Sequence, residues 1–358
     1  MDIHCVSDVV GRVYGMSIKI LFVGDGSYPM YARAFFEAAN EITGVKAELM
    51  DYGDMNIKAI AQGDYLKRVE YHFCAGLNVK KINAELVGKC EESHYDIVFL
   101  YSAELIFAST VRRIKKMGAY IAVYHNDNPF TSKGNNYRRR HFFKTIPLAD
   151  IVYAYRKQNI EDYNRVGAQK AKLLRSYYIQ NRNFPIKKIS RDNSFPRIGF
   201  IGHYEDDGRI EFIKDLSDKG IDVGVIADWP IINDHMTVID NAHNNYNEVL
   251  NKLDIAIIFL SKLNNDTYTR RCFEIPMAKT MMLSTYTDDI ATMYEENKEI
   301  VFFRNKEEFV DKALYYLEHN EERGTVAEAA YKRCLKDGHE AKDRVREIIK
   351  DYGDSRNI

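Results

Sequence analysis

Short apolar runs recur along this chain, and nearly every one is followed by a stretch with helical periodicity. In the first half, residues 18–23, 45–50, 97–101, 120–124, 151–154 and 172–174 read as strands. Between them, residues 31–42 place Ala34, Phe35, Ala38, Ala39 and Ile42 on one helical face, and 104–116 and 160–166 read as further helices. Residues 66–90 also read as helical, without clear punctuation. The second half repeats the alternation, with strands over 197–201, 223–226, 255–260, 281–284 and 300–303 and a helix over 210–218. From Lys306 onward the pattern is helical, in three segments broken near Asn320 and at Asp337-Gly338. Such alternation predicts an α/β protein built on parallel sheets covered by helices.

At 358 residues the chain is too long for one ordinary core. The stretch 181–196 is polar, lacks periodicity and contains Pro185 and Pro196, so it reads as a linker. The expected organisation is an N-terminal extension (1–15), a Rossmann-like domain (16–180), the linker (181–196), a second Rossmann-like domain (197–338) and a terminal helix (339–358). Two such domains would face each other across a cleft at the carboxyl ends of their strands, where open α/β sheets bind ligands. The net charge of −1 gives no overall basic field, so no nucleic-acid partner is expected. Five dispersed cysteines, with no CxxC and no metal-ligand spacing, read as reduced thiols in a cytoplasmic protein without a metal site. No apolar run approaches the length of a membrane span, and the first fifteen residues lack the apolar core of a signal peptide.

The segment Asp266-Thr267-Tyr268-Thr269-Arg270-Arg271-Cys272-Phe273-Glu274 carries the strongest chemical signal. It joins a buried strand to a helix, and two arginines on such a loop suit a phosphorylated ligand. Glu274 sits in an otherwise apolar frame, where a carboxylate is costly unless it is paired or faces a ligand. Upstream, Gly202-His203 and Arg209 follow the first strand of the second half and could approach a diphosphate. In the first half, His125 ends a buried strand, where it could orient a sugar hydroxyl, and Asp127 could accept a proton or simply set a polar turn. Gly24-Asp25-Gly26 would let a ligand approach the backbone, but the third glycine of a dinucleotide fingerprint is missing. The basic run Tyr137-Arg138-Arg139-Arg140-His141 reads as a solvated helix face, with at most peripheral membrane contact.

The motifs "RIGFIGHYEDDGR", "LDIAIIFLS", "DTYTRRCFEIPMAKTMMLST" and "NKEIVFFRNKEEFVDKALYYLEHNEER" resemble the GT-B glycosyltransferases of group 1, in particular their CgeB-like, spore-maturation branch. The first half shares only its architecture and "YHNDNPF". The resemblance implies metal-independent, retaining hexosyl transfer from a nucleotide-diphosphate sugar, a UDP-sugar, to an acceptor. No other cofactor is implied. The family's pair of acids eight positions apart maps onto Asp266 and Glu274, with Asp replacing the first Glu. Glu274 would meet the ribose and Asp266 the hexose. Arg270 or Arg271 would neutralise the diphosphate, Lys262 would share that role, and Thr267 and Thr269 belong to the same loop. His125 would face the donor sugar. Ala278-Lys279-Thr280 stands where the family has a small-Gly turn. A 2-epimerase acting on the nucleotide sugar, or a structural spore-surface protein that has lost the chemistry, would share this architecture.

Overall fold

The structure is a computed structural model and describes residues 17–56, 60–131 and 137–357. The N-terminal extension expected over 1–15 lies outside the described residues. The chain divides into two compact units. One runs to Arg175 and takes in the chain from Ala341 onward; the other is Ser176–Glu340.

In the first unit, β1 (Ile18–Gly24), β2 (Val45–Asp51), β3 (Ile97–Tyr101), β4 (Tyr120–His125), β5 (Ile151–Ala154) and β6 (Ala171–Leu173) form one sheet in the order β2-β1-β3-β4-β5-β6. Every pairing is parallel. β3 and β4 are buried along their whole length, as strands covered by helices on both faces must be. Helix α1 (Ala32–Asn40) lays Phe35 on this sheet, its ring centroid 4.9 Å from that of Phe99. The stretch 66–90 is two helices, α2 (Tyr65–Phe73) and α3 (Leu77–Glu92). The break falls at Cys74 (φ 46°) and Gly76 (φ 130°), backbone that only glycine adopts freely. Glu70, 7 % exposed, turns back to accept from the Leu77 and Asn78 amides, both at 2.8 Å, and so caps α3. The helix expected from residue 104 begins only at Ala108: α4 is Ala108–Lys116. Residues 102–107 form a loop in which Ser102 (φ 68°) and Ala103 (φ 47°) hold left-handed backbone. Helices α5 (Arg140–Thr145) and α6 (Gln158–Arg165) complete this part of the unit.

In the second unit, β7 (Ile198–Gly199), β8 (Val223–Val225), β9 (Met236–Val238), β10 (Ile255–Ile258), β11 (Met281–Thr285) and β12 (Val301–Phe303) form a parallel sheet in the order β12-β11-β10-β7-β8-β9. Its helices are α7 (Arg209–Ser217), α8 (Tyr246–Lys252), α9 (Arg271–Met277), α10 (Asp288–Ala291), α11 (Lys306–Glu318) and α12 (Asn320–Lys336). The segment 181–196 has no regular structure, yet it is fastened to this unit. The amides of Phe184 and Ile186 donate to Asn247 and Asn251 of α8, and Arg191 pairs with Asp254. The last helix, α13 (Ala341–Arg356), belongs to the first unit and lies against α1. Its buried Asp351 accepts from the Tyr153 hydroxyl at 2.9 Å and pairs with Lys172, also at 2.9 Å. Among the described residues no helix is long and apolar enough to cross a membrane.

Both sheets reverse their strand order once, between β1 and β3 and between β7 and β10. The loops leaving those strands diverge, which opens a crevice at each carboxyl edge. The chemically distinctive residues of each unit gather at its own crevice.

Candidate functional site

In the second unit the loops after β7 and β10 hold the predicted donor residues in two groups. The first is built on Arg271. Its Nε donates to the Ile201 carbonyl at 3.0 Å, and its guanidinium lies over the Phe200 ring. Gly202 makes room for it, since a Cβ there would stand 2.2 Å from Nη2. The Gly202 carbonyl in turn accepts from Trp229 Nε1 at 2.8 Å. Arg270 Nε lies 3.0 Å from Glu274 Oε1 across one turn of α9. Glu274 is 8 % exposed, so the sequence reading of a carboxylate in an apolar frame is met by an ion pair. Tyr246 packs beside it, and burial, then the Glu274 charge, holds its hydroxyl protonated. His203 is exposed and bonds Asp228 at 2.7 Å.

The second group lines a pocket of about 580 Å³ that includes Arg209, Phe212, Phe259, Lys262, Asp266 and Thr287. Arg209 is committed to holding this loop. Its Nε and Nη2 grip Asp207 at 2.8 and 2.7 Å, and its Nη1 donates to the His203 carbonyl. Burial opposes the Asp207 charge, but the Arg209 contact prevails and keeps its pKa below the ordinary carboxylate value. Lys262 Nζ donates to the Asp207 carbonyl at 2.6 Å, and the Asp266 amide donates to the Ser261 carbonyl. Thr267 donates to Asp289 at 2.7 Å, and Thr269 Oγ1 stands 3.4 Å from Arg271 Nη1. After α9, Lys279 takes left-handed backbone (φ 55°).

In the first unit, a pocket of about 320 Å³ opens at the β1/β3 crevice. Its walls include Tyr28, Tyr31, Tyr71 and Tyr101, with Asp25, Glu104, His125, Asp127 and Arg138. His125, 3 % exposed, accepts from the Asp127 amide on Nδ1 at 3.1 Å. That bond leaves the proton of the neutral ring on Nε2, a buried atom without a hydrogen-bond partner that stands 3.6 Å from Glu104 Oε1. Glu104 is held on its other side by Arg138, with both Nε and Nη2 at 3.0 Å from Oε2. Burial pushes its pKa up, but His125 and Arg138 outweigh burial and bring it to about 2. The carboxylate is therefore charged at neutral pH, and the left-handed backbone at Ser102 and Ala103 presents it.

Sequence reasoning missed Glu104 by reading it as the first residue of a helix. Its place directly after a buried strand, two residues past Ser102, was the available signal. Asp127 is exposed at the pocket rim, as a turn residue would be. Asp25 lines the pocket, and a Cβ on Gly26 would stand 2.6 Å from the Asp51 carboxylate, so that glycine lets Asp51 pack against it. Among the described residues no group of three His, Cys, Asp or Glu side chains is placed to hold a metal ion.

Residues 209–350 match the model of a family described as glycosyl transferase-like. No curated protein matches the sequence. Among solved structures, the chain is similar to sucrose-phosphate synthase from Thermosynechococcus elongatus, with 8 % identity over 95 % of this chain and 99 % of that one and a TM-score of 0.66. A glycosyltransferase from Rickettsia africae is 14 % identical over 94 % of this chain and 98 % of that one, with a TM-score of 0.65. HepE of Anabaena, solved in complex with UDP-glucose, is 10 % identical over 94 % of this chain and 100 % of that one, with a TM-score of 0.63. Likeness at these identities establishes the fold. The chain has the GT-B fold, with glycosyl transferase-like sequence over residues 209–350.

Proposed function

We propose that this chain is a metal-independent, retaining glycosyltransferase of the CgeB-like branch, moving a hexosyl unit from a UDP-sugar to an acceptor hydroxyl. The observation that carries the reading is a coincidence of place. The glycosyl transferase-like match spans α9, whose start holds the Arg270–Glu274 pair and the Arg271 guanidinium over Gly202, beside the switch point of the second sheet. Glu274, held by Arg270 across one turn of α9, accepts hydrogen bonds from the ribose hydroxyls. Arg271 uses its Nη groups on the diphosphate, and Lys262 adds a second positive charge. These cations stabilise the charge that grows on the leaving nucleotide as the sugar bond breaks.

In the first unit, His125 donates its Nε2–H to a sugar hydroxyl. Glu104, held ionised beside the Arg138 guanidinium, orients the imidazole and does not exchange protons itself. Asp127 at the rim is the carboxylate that takes the acceptor proton. The test is UDP release and sugar transfer by the purified chain without divalent metal. Glu274→Ala, or Arg270→Ala with Arg271→Ala, should lower donor affinity and transfer about 100-fold, as expected for losing charged hydrogen bonds, in variants that circular dichroism shows to be folded at the assay temperature. Unchanged turnover would remove the site assignment. Conversion of the nucleotide sugar without any acceptor, seen by NMR, would replace transfer with epimerisation.

A further inference from the structure

Helix α2 (Tyr65–Phe73) is inverted relative to a normal surface helix. Its buried residue is Glu70, whereas Tyr65 is 75 % exposed, Leu66 62 %, Val69 53 % and Phe73 49 %. Leu66, Val69 and Phe73 follow the i, i+3, i+7 spacing of a single face. Exposed Leu77, the first residue of α3, and exposed Tyr137, whose ring meets Phe73 edge-on with centroids 6.3 Å apart, extend the apolar surface. Isolated exposed apolar residues need no explanation, but a contiguous cluster on one helix does.

The exposed charged side chain of α2, Arg68, is basic. The exposed polar residues of α2 are Arg68 and His72. Arg140 adds a second cation at the helix end, where it donates to the Phe73 and Cys74 carbonyls. The nearby acids are each held by an amide or by a lysine. Asp64 caps the helix by accepting from the Lys67 amide, Asp54 pairs with Lys67 at 2.9 Å, and Glu70 points inward to cap α3. On a chain of net charge −1 this positive rim is a local feature. An apolar helical face with Arg68 and Arg140 at its rim, and with the exposed acid Asp54 paired to Lys67, matches a negatively charged, apolar-cored surface.

From this we infer that the face of α2 docks on an anionic lipid bilayer. Its apolar residues enter the headgroup boundary, and Arg68 and Arg140 meet the lipid phosphates. Tyr71 of the same helix and Arg138 of the adjoining basic run line the first-unit pocket, so docking sets that pocket beside the headgroups. The inference rests on surface composition alone and stands or falls independently of the donor site.

Co-sedimentation of the full chain with vesicles tests it. Binding is expected to vesicles containing phosphatidylglycerol and to weaken with rising salt. The combined variant L66S/V69S/F73S, and separately R68E, should each weaken it by about tenfold or more. These side chains are exposed, so the variants should unfold like the parent chain. A second readout is V69W, whose emission should shift to the blue on the same vesicles. Absence of binding to phosphatidylglycerol vesicles, or equal binding by the parent and L66S/V69S/F73S, would overturn the inference. So would lipid-free self-association in analytical ultracentrifugation that L66S/V69S/F73S abolishes, which would assign the face to a second copy of the chain.

Discussion

Glu104 shows how a single side chain organises the first-unit pocket. It stands between His125 and Arg138, and its pKa of about 2 lies well below the ordinary value of 4.5. A carboxylate whose folded pKa is depressed contributes stability that is complete above its unfolded pKa and is lost as pH falls through the folded one. The window is therefore about pH 4.5 down to 2, and the contribution is roughly 3 kcal/mol. Glu104→Gln should lower stability by about 2–3 kcal/mol at neutral pH and flatten its dependence on pH in that window. Urea unfolding at several pH values checks this; parallel profiles for the two proteins would contradict it. His125 was legible in the sequence because it ends a buried strand. Glu104 was not, because only the left-handed backbone at Ser102 and Ala103 keeps it out of the helix. Arg209 was legible as unusual, but its partner Asp207, two residues away, gives it a role in holding the loop that spacing alone does not reveal.

At the scale of elements, apolar runs located the strands well wherever they were long. β7, expected over five residues, keeps only Ile198–Gly199 in the ladder, and β9 was missed because Met236–Val238 is a three-residue edge strand with little apolar signal. The α11/α12 and α12/α13 breaks were readable near Asn320 and at Gly338, which has φ 65°. The α2/α3 break was not readable. It depends on a carboxylate reaching forward seven and eight residues to two amides, a contact invisible to local periodicity. Glu70→Ala should therefore cost about 1–2 kcal/mol, since it strips a charged cap from the two first amides of α3. Urea unfolding followed by far-UV circular dichroism would show this as a lower midpoint with reduced helicity. An unchanged midpoint would mean that water replaces the cap.

For the whole molecule, the strand–helix alternation was enough to predict two parallel sheets, and the structural neighbours share that GT-B fold. The return of α13 to the first unit is secured by the buried Asp351, whose partners Tyr153 and Lys172 lie almost two hundred residues earlier, so no local pattern announces it. The central claim is that the second unit binds a UDP-sugar through Arg270, Arg271 and Glu274. The chain's one tryptophan, Trp229, is bonded to the Gly202 carbonyl beside Arg271 and reports on this loop directly. The most direct measurement is a titration of the full chain with UDP-glucose in the absence of divalent metal, followed by calorimetry and by Trp229 fluorescence. The account predicts saturable one-to-one binding, about 2.7 kcal/mol of added stability at a hundred times the dissociation constant, and a loss of about ten- to a hundredfold in affinity for Arg271→Ala. Neither heat nor a change in Trp229 emission with UDP-glucose or any other UDP-sugar would contradict it.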